Sequence, residues 1–286
     1  MVRSRYRADQ GEANSNPIVR ATQYTCQLRA LILDWRSRWH RSANFSFGVA
    51  QLAPAGDGSH GLLRWSQRQA VASVPRSFLT VNIDLYDAMS PCGAVHIRNK
   101  TAVGERLALG TLAAMAPPSR LPAHAMLPFT SSWNAASGPV PAVRFAWPVI
   151  PFVAKLPLSF RAVEGMTLPS GADHHNFETT TVVRPPNGTA PWGGWMAARS
   201  ASLAGDRVTV LASTASGSDG VAVRGVRFAW GDVPSNDTST ACLNGRFLYS
   251  ADNLPSGVFI AECTEDGQCQ LLSGTVIPTL ATLPAF

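Results

Sequence analysis

Charged residues are scarce in this sequence, and no apolar run is long enough to cross a membrane. Asp, Glu, Lys and Arg make up 15% of the 286 residues, against roughly a quarter in an average soluble domain. The longest apolar run, residues 145–154, is shorter than the ~20 residues of a membrane-spanning helix and contains Pro148 and Pro151. The sequence therefore predicts a globular protein without a membrane span.

The opening residues lack an apolar segment behind their positive charges, so the sequence predicts no signal peptide. Asn-X-Ser/Thr sequons nevertheless occur at Asn44, Asn99, Asn187 and Asn236, and such sites are glycosylated in secreted proteins. Sequons also arise by chance. They favour secretion without establishing it.

The net charge of +6 does not point to nucleic acid. The excess of Arg falls in the first hundred residues and is spread over a few positions, partly along a helix. A nucleic-acid surface needs clustered Lys and Arg with interleaved aromatic residues on one face. We expect no nucleic-acid partner.

Five cysteines give an odd count. Cys263 and Cys269 flank a turn that contains Asp-Gly, and a hairpin there would bring the two thiols within bridging distance. The sequence predicts this disulfide. We expect Cys26, Cys92 and Cys242 to be free, buried thiols.

No metal or organic cofactor is expected. Asp173, His174 and His175 are adjacent, so their side chains diverge, and no third ligand follows at a suitable spacing. A solvated turn is the better interpretation. Cys92 and His96 could suggest a thiol protease, but the residues around Cys92 match no known nucleophile context.

The first part of the chain alternates helices and strands. Apolar spacing predicts helices over residues 18–39, 62–72 and 100–115, and buried strands over residues 47–52 and 79–85. Arg64, Gln67 and Arg68 are available for the polar face of the middle helix. Such alternation predicts a parallel sheet covered by helices, with ligands at the carboxyl ends of its strands.

After Pro117 the composition changes to short segments rich in Val, Phe, Thr and Trp between clusters of Pro, Gly and Ser. This pattern predicts a β-sandwich. The predicted strands cover residues 143–147, 158–162, 179–183, 208–212, 221–230, 258–262 and 269–272. We therefore expect one domain over residues 1–119 and a second over 120–286.

Four tryptophans of the second region, Trp133, Trp192, Trp195 and Trp230, admit two interpretations. Core packing is the default for aromatic side chains, and a platform on which sugars stack is the alternative.

An ordered set of short motifs resembles the sialate O-acetylesterase family of the SGNH-type esterases. The motifs are Gln10-Gly11-Glu12-Ala13-Asn14, Asp34-Trp35-Arg36, residues 47–52, and Asp84 followed by His96 and Lys100. The resemblance runs from about Asp9 to about Arg106 and resumes near Trp230. It implies an α/β fold, the C-terminal part of an SGNH-type three-layer parallel-sheet domain followed by a β-sandwich-like domain. It also implies an O-acetylated sugar or sialoglycan substrate and a secreted or lysosomal location.

The resemblance implies three site residues. His96 would be the base that takes and returns the proton of a serine nucleophile. Asp84 would orient His96, with Asp87 in reserve, because residues 93 and 94, where many SGNH enzymes place the aspartate, are Gly and Ala. Gln10 would donate an amide hydrogen bond to the oxyanion.

The family's nucleophile precedes the Gln-Gly-Glu segment, in a Gly-Asp-Ser or Gly-Gln-Ser turn, and residues 1–9 contain no such turn. We therefore expect a fragment or a misplaced chain start, and an esterase whose serine-bearing segment is absent from this sequence. The alternative is an inactive fragment that acts as a glycan-binding or structural β-module.

Overall fold

Two groups of secondary structure, one helical with a small parallel sheet and one of antiparallel strands, make up the described part of the chain. The computed structural model describes residues 11–15, 18–39, 46–54, 60–87, 89–93, 95–115, 130–134, 142–146, 177–186, 192–204, 207–212, 222–230, 255, 257–265 and 268–272.

The first group follows the predicted alternation closely. Its elements are α1 (Ile18–Arg38), β1 (Phe47–Ala50), α2 (Gly61–Ala72), β2 (Ser77–Thr80) and α3 (Lys100–Met115), with short 3-10 helices at Glu12–Asn14 and Ile83–Leu85. Strands β1 and β2 pair in parallel, from Phe47 opposite Ser77 to Ala50 opposite Thr80. The predicted helices and the parallel pairing of these two strands are confirmed.

Helices cover both faces of this parallel pair. Val49 packs with Leu28 of α1 and Val71 of α2 in one apolar cluster. The next residue, Ala50, packs with Val103 of α3 in another. Because neighbouring residues of a strand point to opposite faces, α1 and α2 lie on one face and α3 on the other.

One expectation about α2 is wrong. Arg64 and Gln67, assigned to its polar face, are both completely buried. Arg64 Nη2 donates to the carbonyl oxygens of Ala229 (3.3 Å) and Trp230 (3.1 Å), and Gln67 Oε1 accepts from the Leu52 amide (3.0 Å). The side of α2 that looks polar in sequence is covered by Leu52 of the first group and by Ala229 and Trp230 of the second.

The second group forms one antiparallel sheet among the described residues. Its strands are β3 (Thr130–Asn134), β4 (Ala142–Ala146), β5 (Phe177–Thr180), β6 (Met196–Ala197), β7 (Ser200–Ala204), β8 (Arg207–Leu211), β9 (Gly225–Phe228), β10 (Phe259–Cys263) and β11 (Gln268–Leu271). Their order across the sheet is β6-β5-β9-β10-β11-β3-β4-β8-β7. Strands β3, β6 and β7 were not predicted, and the predicted strand at 158–162 lies outside the described residues.

The two groups share a core. Three rings from β5, β9 and β10, those of Phe177, Phe228 and Phe259, pack with centroid distances of 4.8 to 6.3 Å. Val81 and Ile83, which follow β2, belong to the same buried cluster. Contacts between the groups are therefore apolar as well as polar.

The cysteines follow the sequence expectation in part. Cys263 and Cys269 form a disulfide and lie opposite each other in the β10–β11 pair, as predicted. Cys92 is exposed, so the expectation of a buried thiol is wrong there, because it lies in a turn before α3. Cys26 is partly buried, and Cys242 lies outside the described residues.

None of the helices within the described ranges is both long and apolar enough to cross a membrane.

Candidate active site

The segments that follow β1 and β2 are held together by hydrogen bonds at the carboxyl edge of the parallel pair. The Gln51 amide donates to the Thr80 carbonyl (2.8 Å), and Asn82 Nδ2 donates to the Gln51 carbonyl (3.2 Å). Both side chains are about 1% exposed. These hydrogen bonds therefore connect the two segments at the edge where a ligand is expected to bind.

The loop that carries His96 packs on this edge. Val95 contacts the cluster formed by Ala21, Leu52 and Leu63, and Ile97 packs with Ala50 and the residues around it. His96 lies between these two anchors and is exposed to solvent. The structure thus places the predicted base at the carboxyl end of β1, where solvent and a ligand can reach it.

Polar contacts hold the two ends of the same loop together. Arg98 binds both carboxylate oxygens of Asp87 through its side chain, at 2.6 and 2.8 Å, and its amide donates to the same carboxylate at 3.2 Å. Ser90 Oγ donates to the His96 carbonyl (2.6 Å). The hydrogen bonds from Arg98 hold the pKa of Asp87 below its ordinary value. Asp87 therefore closes the loop around His96.

Asp84 makes a different ion pair. Its two carboxylate oxygens accept from Arg106 Nη1 (2.6 Å) and Nη2 (2.7 Å), and Arg106 Nη1 also donates to the Val81 carbonyl (2.7 Å). The side chains of Asp84 and Arg106 are 7% and 11% exposed. The pair ties the segment after β2 to α3, and an orienting contact with His96 would have to share these oxygens with Arg106.

Strand β2 is shorter than predicted. It ends at Thr80, and the backbone then turns into the 3-10 helix Ile83–Leu85, closed by the Leu85 amide and the Asn82 carbonyl (3.1 Å). Asp84 therefore lies on this turn and not at the end of the strand. The apolar residues Val81 and Ile83, which suggested a longer strand, are buried against the antiparallel sheet.

Gln10 lies outside the described residues, but its neighbour Gly11 does not. Gly11 has φ of 139°, a conformation that favours glycine, and a Cβ there would collide with Leu63. The Asn14 amide donates to the Gly11 carbonyl (2.8 Å), and Asn14 Nδ2 donates to Gln27 Oε1 (3.3 Å). Asn14 therefore helps to hold this loop.

Tyr24 packs beneath the same loop. Its ring lies near Gly11 and belongs to the apolar cluster of Leu63. Burial raises the pKa of Tyr24, the charge of Glu12 raises it further, and a hydrogen bond with Gln67 lowers it. Because Val95 packs on the same cluster, the neighbours of Gln10 and of His96 meet at one place.

The Asp34-Trp35-Arg36 motif lies at the other end of the strands. Trp35 makes an edge contact with Phe47 at the start of β1, with ring centroids 6.0 Å apart. Arg36 is buried and its Nη2 donates to Ser77 Oγ at the start of β2 (3.5 Å). This motif therefore packs α1 against the strands and does not line the site.

Sequence reasoning missed the two arginines that bind the site's carboxylates, Arg98 and Arg106. A signal was available for Arg106, since it follows Val103 by three residues and so falls on the apolar side of the predicted helix, where an unpaired charge would be costly. Asp173, His174 and His175 lie outside the described ranges. Within those ranges, no group of three His, Cys, Asp or Glu side chains could hold a metal ion.

No protein-family model matches the chain. Curated proteins named sialate O-acetylesterase do match, from Pongo abelii and Homo sapiens at 36% identity and from Mus musculus at 35%, over 120 residues. About a third of the chain is therefore similar to the sialate O-acetylesterases. The match covers 36% of this chain and 22 to 23% of those proteins, so the chain spans about a quarter of the length of its sialate O-acetylesterase relatives.

Proposed function

We propose that residues 10–106 form the acid–base and oxyanion side of a carbohydrate O-acetylesterase site that acts on sialic acids or related sugars. One observation carries this proposal. Gly11, next to Gln10, and Val95, next to His96, contact the same cluster around Leu63, at the carboxyl end of β1. The relatives named sialate O-acetylesterase supply the class of substrate.

In the proposed mechanism, His96 removes the proton of a serine hydroxyl as the serine attacks the acetyl carbon. The Gln10 amide donates to the oxygen that becomes negative in the tetrahedral intermediate. His96 then gives the proton to the sugar oxygen as its bond to the acetyl carbon breaks. In the second half, His96 takes a proton from water as the water attacks the acyl-enzyme, and returns it to the serine oxygen as acetate leaves. The serine belongs to a turn that is not recognised in these 286 residues.

Asp84 is the proposed third member of the catalytic triad, and it would act while paired with Arg106. That pair holds the segment after β2 to α3, the helix that begins four residues after His96. Asp84 therefore links the segment that precedes the His96 loop to the helix that follows it. The mechanism calls for neither a metal ion nor an organic cofactor.

The proposed setting is an SGNH-type three-layer domain over residues 1–119, followed by a β-sandwich-like domain over residues 120–286. Helices on both faces of β1 and β2 support the layered part. The antiparallel sheet with its shared phenylalanine core supports the second part. A secreted or lysosomal location is proposed from the relatives and the sequons, and the Cys263–Cys269 disulfide fits an oxidising compartment.

A chimera tests this proposal. Residues 10–106 replace the matching segment of the human sialate O-acetylesterase, which brings its own serine turn, and release of acetate from O-acetylated sialic acid is measured. We expect turnover that His96→Gln abolishes. Asp34→Asn, which removes an exposed carboxylate paired with Arg38, is the control and should leave turnover unchanged.

A folded chimera without turnover would contradict the proposal. So would turnover that survives His96→Gln, because another residue would then be the base. Circular dichroism of each variant separates loss of the site from loss of the fold.

A further inference from the structure

A row of four indole rings and one arginine runs from the antiparallel sheet to α2. We call Trp192, Trp195, Arg227, Trp230 and Trp65 the tryptophan row. The Trp192 and Trp195 centroids are 4.9 Å apart, and the Arg227 guanidinium lies over Trp195 at 4.5 Å and over Trp230 at 4.8 Å. Trp230 then meets Trp65 of α2 at 6.5 Å.

The row lies on the face of the sheet that points away from the phenylalanine core. In β9, Val226 and Phe228 are fully buried, whereas Gly225 and Arg227 alternate with them and face the other way. Glu178 of β5 lies directly opposite Arg227. Trp192, Trp195 and Trp230 are therefore not part of the phenylalanine core, whereas Trp65 is buried on α2.

Hydrogen bonds to main-chain carbonyls hold the rings of Trp192 and Trp195 in place. The Trp192 indole N–H donates to the Val182 carbonyl (2.8 Å), and that of Trp195 donates to the Trp192 carbonyl (2.6 Å). Gly225 lies beneath both rings, where any Cβ would collide with them. Gly193, between the two tryptophans, has open space where a side chain would be. Trp192, Trp195 and Trp230 are all partly exposed.

These contacts decide what chemistry the rings can offer. The N–H groups of Trp192 and Trp195 are already bonded, and the Arg227 guanidinium covers one face of Trp195. The two rings therefore offer a ligand only their remaining apolar faces and edges. Hydrogen-bonding groups lie beside them, because Arg227 binds both oxygens of Glu178 at 2.8 Å and these side chains are 15% and 21% exposed. Burial lowers the pKa of Arg227, and its contact with Glu178 opposes this shift.

We propose that the tryptophan row binds a carbohydrate chain. A sugar ring has an apolar C–H face that stacks on an indole and a rim of hydroxyls that bond to a carboxylate or guanidinium. An apolar protein surface would have to cover the Glu178–Arg227 pair and leave its remaining bonding capacity unmet, which is costly. The chemistry of the row therefore fits a glycan better than a protein.

The row ends close to the candidate active site. Gly61, at the start of α2, approaches the Trp230 carbonyl so closely that a Cβ would collide with it. Leu62 and Leu63 follow, and they pack on the cluster that also holds Val95. Binding of a glycan to the tryptophan row does not depend on the proposed function. Only the inference that the bound glycan leads toward an ester-cleaving site rests on it.

Titration of the folded 286-residue chain with sialyllactose, followed by calorimetry and indole fluorescence, tests the proposal. Lactose is the neutral comparison. We expect saturable binding that weakens about tenfold or more in Trp192→Ala, since aromatic stacking contributes on this scale. Trp192→Phe should retain most of the affinity. Trp39→Ala, which removes an indole that is 45% exposed at the end of α1, should leave it unchanged.

Absence of saturable binding to either sugar by the folded wild type would overturn the proposal. Equal loss in Trp39→Ala and Trp192→Ala would also overturn it, because the effect would not depend on the row. Thermal melting shows whether Trp192→Ala folds. If it does not, Glu178→Gln decides the question, because it removes the carboxylate beside the rings and should weaken binding. Unchanged affinity in Glu178→Gln would then overturn the proposal. The probes carry no acetyl ester, so binding would persist even if the proposed esterase function failed.

Discussion

At the scale of single residues, two nearby aspartates have different partners. Asp84 binds Arg106 in a largely buried pair, and Asp87 binds Arg98 at the surface. The sequence made both candidates to orient His96. The structure makes Asp87 the residue that closes the His96 loop, and that role leads to a prediction about pH.

Asp87→Asn should remove a pH dependence from the His96 loop. Arg98 lowers the pKa of Asp87 in the folded chain. A carboxylate with a lowered pKa stabilises the fold above its unfolded value, about 3.9, and this contribution is lost as the pH falls through the folded pKa. We therefore expect the backbone amide resonance of Arg98 in the wild type to shift when the pH falls below about 4. In Asp87→Asn the same resonance should not shift with pH, and it should stay near the position that the wild type reaches at low pH.

Nuclear magnetic resonance of labelled protein measures this effect, with Asp34→Asn as the control. Asp34 also pairs with an arginine, Arg38, but on the exposed side of α1. The interpretation fails if the Arg98 amide titrates identically in the wild type and in Asp87→Asn.

At the scale of elements, the helices were the most predictable part of the chain. Their apolar spacing is a local property, so α1, α2 and α3 were located to within a residue at either end. The end of β2 was not, because Val81 and Ile83 are buried by another sheet and so resemble strand residues. The missed strands β3, β6 and β7 are short and contain several Ser and Ala residues, which have little strand preference of their own.

Helix α3 offers a matched pair of glycines. A Cβ at Gly110 would collide with the ring of Phe78, whereas a Cβ at Gly104 would meet nothing within 4 Å. Gly104→Ala should therefore stabilise the protein by up to about 1 kcal/mol, the usual difference between the two residues in a helix. Gly110→Ala should destabilise it by about 1 to 3 kcal/mol through overpacking.

Urea denaturation of both variants gives the two free energies of unfolding. Because both changes are in one helix, helix propensity is the same and only the contact with Phe78 differs. Two variants of equal stability would show that α3 does not pack on Phe78 as described.

At the scale of the whole molecule, Arg64 links the two groups of secondary structure. It is completely buried on α2, and its guanidinium binds two carbonyls 165 and 166 residues away in sequence. One of them belongs to Ala229, whose φ of 57° is uncommon for a residue with a side chain. Arg64 therefore helps to hold a strained end of β9.

Arg64→Met should lower the free energy of unfolding by about 2 kcal/mol, because the buried Ala229 carbonyl and the partly buried Trp230 carbonyl both lose their donor. Arg38→Met, on the exposed side of α1, should change it little. Chemical denaturation compares them. Equal stability of the two variants would show that the Ala229 and Trp230 carbonyls do not depend on Arg64.

The purified 286-residue chain should not hydrolyse p-nitrophenyl acetate faster than its His96→Ala variant. No nucleophile-bearing turn is recognised in the sequence, and loss of the nucleophile from a triad enzyme costs about a million-fold in turnover. Stopped assays of both proteins at equal concentration test this. Hydrolysis that disappears in His96→Ala would reveal a nucleophile within these residues and contradict the prediction.

The sequence by itself determined what depends on neighbouring residues. Apolar spacing located the helices, the turn between Cys263 and Cys269 predicted their disulfide, and ordered motifs pointed to the sialate O-acetylesterases. Each of these signals is contained in a short stretch of chain. The proposed roles of Gln10, Asp84 and His96 come from the same motifs and stay predictions.

Only the tertiary structure decided which polar side chains are buried and what they bind. Arg64 looks like a surface residue of an amphipathic helix until β9 covers it, and Asp84 meets Arg106 only because α3 packs beside the end of β2. The tryptophan row likewise joins residues from β9, from the loop before β6 and from α2. Such contacts depend on which elements meet, and a local pattern contains no information about distant partners.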